Sequence, residues 1–227
     1  MTTRRAFLIG SGLLALGAAT GAAEPAPTAT GSRPARLTMI IDQDRCTGCR
    51  SCEIACKVYT ATAPQYFNTH LLIGEEDTER GGHCVFTPVM CNQCDDPPCV
   101  AACMAGATFK LASGIVVTDW DRCTACGACI AACPYDARFA DPRFGGRADK
   151  CDFCLDRVQR DQVPACVEAC SAGARLFGDL NDPRGEFASC LRHHSFRVRR
   201  PELGTGPNVL YVRRRQARDR ARTEVGS

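Results

Sequence analysis

Four runs of four cysteines punctuate the chain, and any fold it adopts must accommodate them. The runs are Cys46, Cys49, Cys52, Cys56; then Cys91, Cys94, Cys99, Cys103; then Cys123, Cys126, Cys129, Cys133; and Cys151, Cys154, Cys166, Cys170. Only Cys84 and Cys190 of the 18 cysteines stand outside them. A motif recurring in this way is an internal repeat of ligand chemistry. Cysteine makes up about 8% of the chain, at the level where something besides a hydrophobic core holds a fold together. Aromatic residues are only 7%, and Ala and Cys inflate the apolar 45%. Disulfides or metals are therefore needed as staples.

Three kinds of staple compete. Disulfides suit an exported protein, but cysteines three apart in every run are awkward to bridge in a helix or tight loop. Structural zinc takes four thiolates, usually as two separated C-x₂-C pairs. The fourth run fits that pattern; the first and third, with cysteines at i, i+3 and i+6 before a fourth, do not. Iron–sulfur ligation fits all four runs. A loop with thiolates at i, i+3 and i+6 can wrap a cubane and bind three of its irons.

In "DRCTACGACIAACPYD" (121–136) the fourth cysteine is expected to enter a helix and leave that cluster, with Pro134 starting a turn. In two-cluster ferredoxins this last cysteine ligates the other cluster. Between runs two and three, "ATFKL" and "GIVVTD" flank "ASG" and read as a hairpin. Runs two and three thus form a local pair, which leaves run one to pair with run four. The expected sets are four [4Fe–4S] clusters: Cys46/Cys49/Cys52/Cys170, Cys56/Cys151/Cys154/Cys166, Cys91/Cys94/Cys99/Cys133 and Cys103/Cys123/Cys126/Cys129. The competing arrangement pairs run one with two and three with four.

The N-terminus begins "MTTRRAFLIGSGLLALGAATGAA". Arg4-Arg5 before a short apolar stretch reads as a twin-arginine export signal over residues 1–23, an uncleaved anchor helix being the other reading. Twin-arginine export carries proteins already folded, so metal centres can be built before transport. "EPAPTATGSRPAR" (24–36) reads as a linker without a core.

The net charge of +3 argues for no particular partner. Ten arginines lie between 192 and 222, in a stretch that is either a solvated tail or a contact for anionic lipid or an acidic partner. It has no interleaved aromatics, which speaks against nucleic acid. "NVLYV" (208–212) is a strand candidate. Cys84 and Cys190 read as small buried hydrophobes, His193 and His194 as surface residues, Trp120 and Phe109 as packing around the hairpin. Tyr135 and Asp136 are expected to shape a turn covering a cluster. No general base, nucleophile or open metal position marks this chain as catalytic.

"CNQCDDPPCVAAC", "GIVVTDWDRCTACGACIAACPYDARF", "ADKCDFCLDR" and "PACVEACSAGARLFGDLNDP" together resemble the iron–sulfur (beta) subunits of molybdopterin oxidoreductases, over about residues 40–212. Within that family they look most like the subunits serving tetrathionate reduction. Those serving polysulfide, thiosulfate, dimethyl sulfoxide and arsenate reduction lie nearby. The resemblance implies single-electron transfer between a molybdopterin catalytic (alpha) subunit and an integral-membrane quinol-oxidising subunit in anaerobic respiration. It also implies that the clusters of runs one and four face the catalytic subunit and those of runs two and three the membrane side. Some relatives lack the cysteine matching Cys126 and carry a three-iron cluster; Cys126 is present here. Met104 follows Cys103 where the family often has proline, as at Pro134.

The expected fold is α+β, loop-rich and cluster-stabilised, with two interleaved bacterial ferredoxin-like modules. The outer module takes residues 37–90 and 134–190, the inserted module 91–133, and a C-terminal strand and basic tail 191–227. The expected location is periplasmic, with membrane contact through a partner. Two other readings stay open: an iron–sulfur subunit of a molybdenum-free membrane redox complex of the sulfite-metabolism type, and a free soluble ferredoxin shuttle.

Overall fold

The computed structural model describes residues 34–76 and 83–212. The expected signal peptide (1–23), linker residues 24–33 and the stretch 213–227 lie outside the described residues. Residues 34–36, read as the end of the linker, are tied down. Arg36 donates its backbone N–H to Asp179 at 2.8 Å and pairs through Nη2 with Asp95 at 2.6 Å.

Strand β1 (Leu37–Ile41) carries Thr38, Met39, Ile40 and Ile41 at zero exposure. An apolar run buried on both faces belongs in the middle of a sheet, and β1 lies there. Run one follows, and helix α1 (Ser51–Thr60) carries Cys52 and Cys56 one turn apart on the same face. Strands β2 (Thr69–Glu76) and β3 (His83–Met90) pair antiparallel, and β3 delivers the chain straight to Cys91. Helix α2 (Pro98–Ala101) opens on a proline, which suits a first helical position.

Strands β4 (Thr108–Lys110) and β5 (Val116–Thr118) are the hairpin expected from the β-branched pattern, with Thr108 opposite Thr118. Helix α3 (Ala128–Ala131), the antiparallel pair β6 (Phe139–Asp141) and β7 (Arg147–Asp149), and helices α4 (Leu155–Val158) and α5 (Ala165–Glu168) follow. The chain closes with β8 (Arg175–Asp179), α6 (Gly185–His193), β9 (Phe196–Arg197) and β10 (Val209–Val212).

The main sheet has the order β8-β1-β10-β9. Met39 of β1 faces Phe177 in the antiparallel β8 and Val209 in the parallel β10. The C-terminal strand, read from sequence as part of a separate tail, is thus built into the sheet that joins the two ends of the described chain. Helix α1 packs on α5, and α2 on α3. The core groups Met39, Ile41, Met90, Ile115, Phe153, Val209 and Tyr211 with Cys91, Cys151 and Cys166. No helix among the described residues is long and apolar enough to cross a membrane.

Several side chains depart from expectation. The fourth cysteine of run three does not enter a helix. Helix α3 comes before it, and Cys133 ends the turn, its N–H bonded to the Ile130 carbonyl at 3.1 Å. Cys190 is buried against Ile40, Phe187 and Val212, but Cys84 is exposed on β3. Trp120 packs on Phe144, ring centroids 4.1 Å apart, and donates its indole N–H at 3.1 Å to Ala148, which clusters with Val116 of the hairpin. His193 and His194 are exposed at the end of α6.

Candidate functional site

Each cysteine run opens with the same backbone device. The residue before the second cysteine has a positive φ in all four: Gly48 (74°), Gln93 (49°), Ala125 (57°) and Phe153 (59°). A left-handed residue there turns the C-x₂-C segment, as in backbone nests that receive anions, and in the first three runs both cysteines of that segment line one cavity. A second device recurs after three of the fourth cysteines. Gly106, Asp136 and Gly173, each three residues on, return their N–H to the carbonyls of Cys103 (2.9 Å), Cys133 (3.4 Å) and Cys170 (2.9 Å).

These turns place thiols from different runs together. Cys46, Cys49 and Cys52 wall one cavity with Cys170. Cys91, Cys94 and Cys99 wall a second with Cys133. Cys123, Cys126 and Cys129 wall a third with Cys103. Each cavity is walled by four thiols, three from one run and one from another, which suits one kind of guest in each. Cys56, Cys151, Cys154 and Cys166 form a fourth group, all buried. Among the described residues no set of three or more His, Cys, Asp or Glu is disposed to hold a single metal ion; the thiols ring spaces wider than an ion. All eighteen cysteines are outside disulfides.

Electrostatics place the fourth group together too. Burial first, then the neighbouring Cys166 and Cys154, push the Cys56 thiol up to about 12. Burial likewise raises Cys154 to about 12 and Cys94 to about 11. Burial, Cys56 and Cys166 drive Cys151 well above its ordinary range. Four thiols so placed cannot all ionise beside one another without positive charge among them, and a thiolate-bound metal cluster supplies it. Local donors help. Backbone N–H groups of Ala174, Thr108 and Phe153 reach the sulfurs of Cys170 (3.3 Å), Cys103 (3.3 Å) and Cys151 (3.4 Å). For Cys103, burial raises the thiol, but the N–H groups of Thr108 and Ala107 outweigh it and bring it below its ordinary value. The residues present therefore fit iron–sulfur clusters in donor type and grouping.

Tyr135 lies on the second cavity's wall as expected, its hydroxyl 2.6 Å from Thr205 Oγ1. Met104 is fully exposed beside Cys103, away from the cavity. Sequence reasoning missed four buried polar residues beside the thiols: Gln93, Arg138, Lys150 and Arg175. A signal existed for two of them. Arg138 and Arg175 each stand five residues after the last cysteine of their runs, in "CPYDAR" and "CSAGAR".

The comparisons agree with this geometry. A family model described as a 4Fe-4S dicluster domain matches residues 83–180, and one described as a 4Fe-4S binding domain matches residues 38–58. The chain is similar to the tetrathionate reductase B subunit of Salmonella typhimurium, 43% identical over 188 residues, covering 80% of this chain and 74% of that one. It is 32% identical over 225 residues to the arsenate respiratory reductase iron-sulfur subunit ArrB of a Shewanella species, covering 78% of this chain and 96% of the relative. It is 38% identical over 213 residues to the protein NrfC of Escherichia coli, covering 92% and 95%.

Proposed function

This chain belongs to the iron–sulfur subunits of the molybdopterin oxidoreductases, and we propose that it holds four [4Fe–4S] clusters between a membrane quinol-oxidising subunit and a molybdopterin catalytic subunit of a respiratory reductase. When bound, each cluster supplies a one-electron couple whose potential the protein sets through hydrogen bonds, charge and burial. The observation that carries the reading is the wall shared by Cys46, Cys49, Cys52 and Cys170, echoed by the two cavities of runs two and three.

The ligand sets follow those walls: Cys46/Cys49/Cys52/Cys170, Cys91/Cys94/Cys99/Cys133 and Cys103/Cys123/Cys126/Cys129, with Cys56/Cys151/Cys154/Cys166 as the fourth. The packing of α1 on α5 and of α2 on α3 supports two ferredoxin-like modules, the 91–133 module inserted within the other. The thiolates of each set bind iron, and the N–H groups on Cys170, Cys103 and Cys151 draw charge from sulfur and favour the reduced form. Among the described residues the grouped side chains are thiols, which suit electron transfer, and bond chemistry is assigned to the catalytic subunit. Arg4-Arg5 and the apolar stretch after them support export of the folded chain to the periplasmic side. Similarity to the tetrathionate reductase of Salmonella typhimurium supports tetrathionate as the terminal acceptor.

Anaerobic affinity purification from the native host, with metal analysis of what accompanies the chain, tests this. The proposal expects a large partner containing molybdenum and quinol-dependent reduction of tetrathionate in the recovered complex. Iron with a membrane partner but no molybdenum or tungsten contradicts it and favours the molybdenum-free complex. Molybdenum with activity on a different acceptor overturns the substrate alone.

A further inference from the structure

Three buried cations lie in the interior beside the cysteine groups: Arg175 at 2% exposure, Lys150 at 4% and Arg138 at 5%. Among the described residues none of them is in an ion pair. A buried charge without a counter-charge is costly, so each needs an anionic neighbour.

Their positions supply one. Arg175 lines the cavity of Cys46, Cys49, Cys52 and Cys170, and its Nη2 donates to Cys52 Sγ at 3.3 Å and Thr69 Oγ1 at 2.9 Å. Its Nε has no partner. Strand β8, which opens on Arg175, packs against α5, which carries Cys166 of the fourth group. Arg138 lines the cavity of Cys91, Cys94, Cys99 and Cys133, with Nε and Nη2 unpartnered. Its Nη1 donates at 3.3 Å to Thr108, a wall residue of the next cavity, whose N–H meets Cys103. Lys150 spans the remaining gap. Its Nζ donates to the Val116 carbonyl, on the wall of the Cys91 cavity, and to the Cys151 carbonyl at 2.8 Å. Gln93 makes the same bridge, donating to the Cys151 carbonyl at 2.7 Å and accepting from Val116 N–H at 2.8 Å.

We propose that Arg175, Lys150 and Arg138 are a series of fixed counter-charges, one between each successive pair of cluster sites, that raise the reduction potentials of the two sites each adjoins. This rests on the reading of the four groups as [4Fe–4S] sites. Each transfer moves one electron: the donor site is oxidised, the acceptor is reduced, and no proton need move. The electron comes from the quinol and leaves to the catalytic subunit. Every site gains negative charge on reduction, and a cation held in a poorly screened interior favours that state. The three are positioning residues for charge rather than ligands.

The test uses the complete chain in its purified complex. Iron and acid-labile sulfide are measured first, then each cluster's potential by redox titration followed by electron paramagnetic resonance. Arg175→Met is expected to lower the couples of the Cys46/Cys49/Cys52/Cys170 and Cys56/Cys151/Cys154/Cys166 sites at least tenfold in reduction equilibrium, about 59 mV for one electron. The other two sites keep theirs. Arg138→Met does the converse, and Lys150→Met moves the middle two. Arg175→Lys and Arg138→Lys restore most of each shift. If a methionine variant loses iron, the same titration is made on Arg175→Gln and Arg138→Gln, which keep a polar group. A fully loaded variant with unchanged potentials, or one in which all four move equally, overturns the proposal. Absence of four-iron signals in the parent protein overturns the functional reading instead.

Discussion

Cys170 shares a cavity wall with Cys46, although the two runs lying between them in sequence wall two cavities of their own. The link depends on β8, which follows Cys170 and pairs antiparallel with β1 ahead of Cys46, setting Arg175 opposite Ile41.

Substitution should respect these walls. Cys170→Ala and Cys46→Ala are expected to abolish the same cluster signal, and Cys166→Ala a different one. Electron paramagnetic resonance of the three reduced variants checks this. If Cys170→Ala and Cys166→Ala lost one signal in common while Cys46→Ala lost another, the assignment would be wrong.

The cysteine runs were legible because their chemistry is carried by one residue type at short, local spacings. The hairpin from Thr108 to Thr118 was legible for a similar reason: its β-branched residues flank a short turn. The place of β10 was not, since parallel pairing of Val209 with Met39 is decided by packing across most of the chain. Arg138, Lys150 and Arg175 were hidden because a charged side chain reads as surface until its neighbours are known. The short β6–β7 pair went unnoticed, as FAD and RAD hold no β-branched residue to mark them as strands.

Gly48 should not tolerate a side chain. Its φ is +74°, and a Cβ there would sit 2.6 Å from the Phe86 ring. Gly48→Ala is expected to cost about 1–3 kcal/mol from the left-handed backbone, plus the clash. Gly127 has the same φ with open space around it, so Gly127→Ala should cost less. Thermal unfolding of the loaded protein under anaerobic conditions compares the two; equal losses would contradict the packing argument.

Tyr135 and Thr205 join the second cavity to the loop before β10 through a 2.6 Å hydroxyl pair, with Tyr135 6% and Thr205 5% exposed. Tyr135→Phe leaves a buried hydroxyl short of a partner and is expected to cost about 1–3 kcal/mol. Unchanged thermal stability would show that the contact contributes nothing.

Removing the metal should unfold most of the chain. Cys91, Cys151 and Cys166 sit in the main core with Met39, Phe153 and Tyr211, and binding energy at such sites is folding energy. Chelation of iron is expected to abolish the far-ultraviolet circular dichroism of the sheet and helices. An apoprotein with the native spectrum would contradict this.

The most direct test is the content of iron and acid-labile sulfide per chain, measured on anaerobically purified protein with electron paramagnetic resonance of the reduced sample. Four cubane clusters require about sixteen of each, with four interacting one-electron centres in the spectrum. A fully folded, electron-transferring protein holding about eight or fewer would contradict the account.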